Sequence, residues 1–97
     1  MHASIRRYQF KPGMAPEAAR LAQAGFLPLI RSVPGFVAYS IVLESDDVGV
    51  TISIYESEAQ AEESTRKAAD WVRQNLAALV SGPPTIMAGE VPVYATA

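Results

Sequence analysis

Several residue types are missing or scarce in this 97-residue chain, and each absence narrows its chemistry. Because there is no cysteine, disulfides, thiolate nucleophiles and zinc sites with cysteine ligands are excluded. There is one histidine and the carboxylates are scattered, so the sequence predicts no metal site. No glycine-rich phosphate-binding motif occurs, and nucleotide binding therefore has no support. We expect a protein that works without a cofactor.

Runs of like charge and long apolar runs are also missing. The formal net charge is −2, from 8 basic and 10 acidic residues spread along the chain. Affinity for phosphates needs clustered lysine and arginine, so we expect neither a nucleic-acid partner nor an anionic membrane surface. No apolar stretch approaches the roughly 20 residues that span a bilayer, and the start resembles no signal peptide. These features predict a cytoplasmic protein.

What the chain does have is a high apolar content in a short length. About half of the residues are hydrophobic (49%) and 19% are charged, which is typical of one compact domain, here residues 1–97. A chain of this size buries only about 60% of its unfolded surface, so a monomer would be marginally stable. Association into a homodimer would offset that weakness.

Short apolar and alternating stretches predict four strands. The third of them alternates most regularly, with Val50, Ile52 and Ile54 on one face and Thr51 and Ser53 on the other. Proline in the last stretch removes a ladder donor and favours an edge position. The predicted strands cover residues 2–10, 36–43, 48–55 and 85–94.

Two stretches with helical periodicity lie between the strands. Residues 15–32 form the first, and Pro28 inside it predicts a kink near Gly25 and Phe26. Residues 57–79 form the second, where Ser57 and Gln60 match the spacing of a capping box. The second helix carries the only tryptophan, Trp71, at the margin of its apolar stripe.

The order of elements is β-α-β-β-α-β, which predicts an α+β fold of the ferredoxin-like type. Right-handed crossovers place both helices on one face of a four-stranded antiparallel sheet. Nothing in the sequence covers the other face, although the strands are apolar on both sides. We therefore expect a homodimer that forms through this open sheet face.

Four stretches of sequence together resemble a known family: IRRYQFKPG, LPLIRSVPGFVAYSIV, EESTRKAADWVRQNLAAL and the closing GPP turn. The chain is similar to antibiotic biosynthesis monooxygenase-like proteins of the dimeric α/β-barrel superfamily. The resemblance implies two sheets paired in a dimeric barrel, and it covers nearly the whole chain. Members include cofactor-free oxygenases of phenols, haem-degrading enzymes, isomerases and dehydratases, so fold alone does not select the activity.

The resemblance argues against haem degradation. In this superfamily that activity uses a helix histidine as the iron ligand, with an asparagine on the first strand and a tryptophan. The long helix here has no histidine, and the first strand offers Tyr8 and Gln9 instead.

Trp71 and Tyr39 are the candidate walls of a substrate site. The edge position of Trp71 on its helix would let the indole stack on a flat aromatic molecule in a cleft between helix and sheet. The alternative is a boundary tryptophan that seals the core.

His2, Arg6 and Tyr8 share one face of the first strand and are candidate catalytic residues. A proton acceptor, a cation and a phenol would deprotonate a phenolic substrate and hold its anion, which then reacts with dioxygen. The plain alternatives are a frayed, solvated His2 and a surface ion pair for the arginine. Arg6 and Arg7 point to opposite faces, so at most one of them reaches a cavity.

Asn75 is the remaining catalytic candidate, since an amide on the cavity side of the helix would position a carbonyl or peroxide oxygen. It is equally explained as a solvated polar residue. Two functions stay open: a cofactor-independent monooxygenase-like enzyme on a small aromatic or quinone-type molecule, or a non-catalytic module for small-ligand binding or assembly.

Overall fold

A four-stranded antiparallel sheet forms one layer of the protein, described by a computed structural model of residues 1–97. The strand order is β2-β3-β1-β4, so β1 and β3 lie in the centre of the sheet and β2 and β4 form its edges. With both helical regions on one side, this is the predicted ferredoxin-like α+β fold, which is confirmed. The strands are β1 (His2–Gln9), β2 (Phe36–Leu43), β3 (Val48–Tyr55) and β4 (Thr85–Glu90).

The first helical region consists of three parts. Helix α1 (Ala15–Leu21) and helix α2 (Leu27–Arg31) are joined by a π-helical turn (Ala22–Phe26). Proline at position 28 has no N–H and would clash with the Ala24 carbonyl in a regular α-helix, which explains an interruption at this point. The predicted irregularity near Gly25 is thus present, in the form of a π-helical turn.

The wider turn changes which residues are buried. Residues four apart point into the core, namely Ala18, Ala22, Phe26 and Ile30. Regular α-helical spacing predicts a buried stripe of six residues: Ala18, Leu21, Ala22, Gly25, Leu29 and Ile30. Three of them, Ala18, Ala22 and Ile30, are buried as predicted, whereas Leu21, Gly25 and Leu29 are not fully buried. A π-helical turn contains one residue more than an α-helical turn. The positions that face the sheet after the turn are therefore shifted along the sequence.

The long helix α3 (Glu58–Asn75) begins as predicted. The Ser57 hydroxyl accepts from the Gln60 N–H at 3.3 Å, and the Gln60 amide oxygen accepts from the Ser57 N–H at 3.2 Å. The capping box is therefore confirmed. The helix ends four residues before the predicted Leu79, because the segment after it bonds to the end of β1 and the turn that follows β1. The Ser81 N–H donates to the Gln9 carbonyl at 2.8 Å, and the Lys11 N–H donates to the Leu79 carbonyl at 2.7 Å.

The last strand is shorter than predicted. Pairing of β4 with β1 stops at His2 and Glu90, where the partner strand also begins. The predicted end at Tyr94 is wrong, since Pro92 has no N–H to continue a ladder. No helix of the protein combines the length and the apolar character needed to cross a bilayer.

The two faces of the sheet have different surroundings. Alternation along β1 turns Ser4, Arg6 and Tyr8 toward the helices, where all three are buried. The opposite face has no layer over it. Cross-strand register gathers apolar side chains there, from all four strands: Ala3, Ile5, Ala38, Val42, Val50, Ile52, Ile54 and Met87.

Candidate functional site

A cavity lies between the helix-facing side of the sheet and the two helical regions. It leaves about 440 Å³ free of protein atoms when its open mouth is included, of which about 30 Å³ admits the centre of a water-sized sphere. Of the 17 residues around it, 14 are hydrophobic. A site of this kind recognises a largely apolar molecule through very few polar groups.

Arg6 is the only cationic side chain of the cavity lining. Arg6 is only 2% exposed, because it lies on β1, one of the two central strands of the sheet. Its Nε donates to the Thr51 Oγ1 at 3.2 Å, and its Nη2 donates to the Ser53 Oγ at 3.1 Å. Nη1 is buried and has no hydrogen-bond partner. One polar end of the guanidinium therefore remains free to bind another group.

The charge of Arg6 has no carboxylate partner within the protein. The three ion pairs of the structure join Arg7 to Glu44, Arg20 to Glu17 and Arg73 to Asp70, all at the surface. A buried ion normally requires a counter-ion, because removal from water costs several kcal/mol. Arg6 instead has two neutral hydroxyls and the face of Phe26, whose ring centroid lies 5.9 Å from its Cζ. An anion bound in the cavity would supply the missing charge.

Three aromatic rings form a continuous wall. The ring centroid of Phe26 lies 5.5 Å from that of Trp71 and 5.7 Å from that of Tyr39. Phe26 belongs to the π-helical turn, so this turn supplies the central ring of the wall. Gly25 allows the close approach, since a Cβ at that position would lie 3.1 Å from the Trp71 Cζ2.

The two phenols of the cavity remain protonated at neutral pH. Burial raises the pKa of Tyr8, and the nearby Arg6 charge opposes that rise only in part. Burial likewise raises the pKa of Tyr39 far above its ordinary value. Both hydroxyls are therefore available as hydrogen-bond donors and are poor bases at neutral pH.

The structure brings together four of the six predicted site residues. Arg6, Tyr8, Tyr39 and Trp71 all line the cavity. Their grouping follows from strand register and from the packing of helix α3 on the sheet. The expectation that only one of the two neighbouring arginines reaches a cavity is confirmed, because Arg7 lies on the opposite face and pairs with Glu44.

The other two predicted residues lie outside the cavity lining. His2 borders a separate groove between β1, β4 and α3, together with Glu58 and Arg66. Asn75 is exposed, and its Nδ2 donates to the Trp71 carbonyl at 2.9 Å. Helix periodicity places Asn75 beside Trp71, but its amide is used to hold the last turn of the helix.

Three residues of the site are not singled out by the sequence. Thr51 and Ser53 bind Arg6, and Phe26 links the aromatic wall. The alternation along β3 places Thr51 and Ser53 on one face of the strand. Their contact with Arg6, however, depends on the register between β1 and β3. Phe26 escapes notice because the π-helical turn shifts it into the core. No three histidine, cysteine, aspartate or glutamate residues are grouped closely enough to hold a metal ion.

A family model described as antibiotic biosynthesis monooxygenase matches residues 1–71. The matched region contains Arg6, Tyr8, Tyr39 and Trp71, and so includes most of the cavity. A search of curated protein sequences returned no match.

Solved structures of similar fold cover nearly the whole chain. A protein of unknown function from Nitrosomonas europaea, NE2512, has a TM-score of 0.83 and 24% identity, covering 99% of this chain and 93% of its own. A monooxygenase from the gene ActVA-Orf6 of Streptomyces coelicolor, in complex with Nanaomycin D, has a TM-score of 0.75 and 22% identity, covering 99% and 90%. A MhuD mutant with two manganese protoporphyrin IX bound per active site has a TM-score of 0.75 and 14% identity, covering 100% of both chains. At these identities the similarity concerns the fold.

Proposed function

Because this chain belongs to the antibiotic biosynthesis monooxygenase family, we propose that it is a cofactor-independent oxygenase of a small aromatic or quinone-type molecule. The substrate would enter the cavity beside Arg6 and bind as a phenolate or enolate. The observation that carries the proposal is the buried Arg6 guanidinium, which lacks a carboxylate partner and has one nitrogen without a hydrogen bond.

The role of Arg6 follows from its charge and its surroundings. A cation in an apolar cavity favours the ionised form of a neighbouring acid and lowers that acid's pKa. A phenol bound next to Nη1 would therefore lose its proton more readily than in water. The two protonated tyrosines, Tyr8 and Tyr39, would donate hydrogen bonds to substrate oxygens. Trp71 and Phe26 would stack on the ring.

The proposed reaction is balanced without a cofactor. A substrate with an activated CH₂ group, such as an anthrone, loses a proton to form an electron-rich enolate, which transfers an electron to O₂. Recombination forms a carbon–oxygen bond, and loss of water then leaves a carbonyl. The sum is CH₂ plus O₂ giving C=O plus H₂O, so the substrate is the reductant and dioxygen is the oxidant.

A porphyrin does not fit the residues of this cavity. The protein has one histidine, and His2 borders a different groove. Tyrosinate would be the remaining type of axial ligand in the cavity, but the raised pKa of Tyr8 and of Tyr39 disfavours ionisation. No step of the proposed reaction passes through haem.

Oxygen consumption with a panel of hydroquinones and anthrones tests the proposal. We expect uptake above that of heat-denatured protein for at least one member of the panel, and for an anthrone one new carbonyl per O₂ consumed. Arg6→Gln keeps a polar side chain but removes the charge, and it should reduce the rate by at least about tenfold, as expected for one electrostatic contact.

Arg7→Gln provides the matched control for that variant. It removes the same charge from the next residue of the strand, on the other face of the sheet and outside the cavity. Its rate should equal that of the unaltered protein. No uptake with any member of the panel, or an equal loss in both variants, would overturn the proposed function.

A second candidate is a non-catalytic module that binds a small ligand or takes part in an assembly. The narrowness of the cavity favours it, because about 30 Å³ of accessible space is far below the roughly 300 Å³ of common ligand sites. Ligand binding without oxygen consumption would support this candidate.

Pairing of two copies through the open sheet face is also part of the proposal. The apolar side chains of that face, centred on Ile5 and Ile52, have no layer over them in a single chain. Burial of such a face against a second copy would contribute about 25 cal/mol for each Å² removed from water. The arrangement leaves the cavity, on the other side of the sheet, accessible.

A further inference from the structure

We infer that Thr51 and Ser53 make the cavity selective for ligands that carry a negative charge on oxygen, because they position Arg6 without neutralising it. The inference rests on the proposed function and names the class of ligand that the site selects. It assigns a specificity-determining role to two residues of β3 that do not themselves supply charge.

The geometry of β3 relative to β1 supports this role. Thr51 stands opposite Arg6 in the antiparallel register, and Ser53 stands opposite Ser4. Their hydroxyl oxygens lie 3.2 Å from Nε and 3.1 Å from Nη2, so they fix the plane of the guanidinium. Nη1 is the nitrogen left without a partner. The ordinary residue for such a contact would be a carboxylate, which would satisfy the charge within the protein.

The titratable groups around Arg6 leave its charge uncompensated. They are the phenols of Tyr8, Tyr39 and Tyr55, each influenced electrostatically by Arg6 and each neutral at neutral pH. The ion-paired carboxylates all lie at the surface with other arginines. A ligand anion would therefore be the counter-ion of Arg6, whereas a neutral ligand of equal shape would leave the cation unpaired.

A pair of nearly isosteric probes measures this selectivity. Para-nitrophenol ionises near neutral pH and turns yellow. Para-nitrotoluene has a methyl group in place of the hydroxyl and stays neutral. Nitroaromatic rings quench tryptophan fluorescence, and Trp71 in the cavity wall is the only tryptophan. We expect para-nitrophenolate to bind at least about tenfold more tightly than para-nitrotoluene, or about 1.4 kcal/mol. Binding should also lower the pKa of the phenol, as read from its colour.

Variants of Ser53 and Thr51 separate this role from a purely structural one. Ser53→Asp places a carboxylate beside Nη2, so the ratio of the two affinities should fall to about one, and the shift in colour should disappear. Thr51→Val with Ser53→Ala releases the guanidinium from its position and should also lower the ratio. A general structural defect would weaken the binding of both probes equally and leave the ratio of their affinities unchanged.

Ser4→Ala is the matched control. Ser4 is as deeply buried as Ser53 and lies opposite it, but its hydroxyl bonds to Thr65 at 2.9 Å and forms no hydrogen bond with Arg6. In this variant the ratio of the affinities for para-nitrophenolate and para-nitrotoluene should equal that of the unaltered protein. If Ser53→Asp does not fold, the Thr51 and Ser53 double variant decides the result.

Three outcomes would overturn the inference: equal affinities of the unaltered protein for both probes, no binding of either probe, or a ratio that the β3 variants leave unchanged. The proposed oxygenase activity is judged separately by oxygen consumption. If the site prefers the anionic probe but no oxygen is consumed, the oxygenase proposal fails and the inference about Thr51 and Ser53 stands. If oxygen is consumed but the two probes bind equally well, the inference fails and the oxygenase proposal stands.

Discussion

Arg6 combines a structural cost with a candidate function. Its guanidinium is removed from water, bonds to two neutral hydroxyls and lacks a counter-ion. Residues at binding sites often lower the stability of a protein, because the interaction they serve is completed only by the ligand. Replacement of Arg6 by an apolar residue should therefore increase stability while it abolishes binding.

The variant Arg6→Met tests this at the residue scale. We expect its free energy of unfolding, from urea denaturation, to rise by about 1–3 kcal/mol, the cost of an unsatisfied buried polar group. Arg7→Met, at the surface, should change stability little. A clear loss of stability in Arg6→Met would mean that the two hydroxyl contacts outweigh the desolvation of the cation.

The buried tyrosines predict a loss of stability in alkali. The pKa of Tyr8 and of Tyr39 is raised by folding, so between the unfolded and folded pKa values the native state holds more protons than the unfolded state. Stability from this source is complete below pH of about 10, the unfolded value, and decreases as the pH rises further. Unfolding by urea at increasing pH should show this decrease, and Tyr39→Phe should reduce its slope. An unchanged slope would contradict the prediction.

At the scale of elements, the start of helix α3 depends on a glycine from another part of the chain. Gly35 has φ of +84°, and a Cβ there would overlap the side chain of Gln60, a member of the capping box. The turn after α2 and the cap of α3 are thus packed together. A side chain at position 35 would disturb both.

Gly35→Ala and Gly13→Ala separate backbone strain from that overlap. Gly13 also has a positive φ, of +77°, but open space surrounds its Cβ position. Gly13→Ala should lower the free energy of unfolding by about 1–2 kcal/mol through the left-handed backbone alone. Gly35→Ala should cost more, by about 1 kcal/mol for the lost cap. Equal losses in thermal or urea unfolding would mean that Gln60 simply moves aside.

At the scale of the whole molecule, the open sheet face should control association. Sedimentation at micromolar concentration should show a dimer, and Ile52→Lys, at the centre of that face, should convert it to monomer because a buried unpaired charge is costly. Ala69→Lys, on the exposed side of α3, should leave the dimer intact. A stable monomer of the unaltered protein would refute the pairing.

The sequence alone determined most of the architecture. Periodicity, the turn residues and the Ser57 cap identified all four strands and both helical regions, because these signals act between residues that are close in the chain. The order of those elements restricts the topology to very few arrangements, so the ferredoxin-like fold followed. Arg6, Tyr8, Tyr39 and Trp71 were candidates on the same local grounds.

The tertiary structure decided which of these residues meet and how the elements end. Strand register brought Thr51 and Ser53 to Arg6, and the π-helical turn brought Phe26 to Trp71. Hydrogen bonds to Gln9 and Lys11 accompany the end of helix α3 before Leu79, and the exposed Asn75 amide bonds to the Trp71 carbonyl. Such contacts join residues far apart in the chain, and local pattern carries no information about them. The physical reason is that register and packing minimise the energy of the whole core, whereas periodicity reports only which face of each element is apolar.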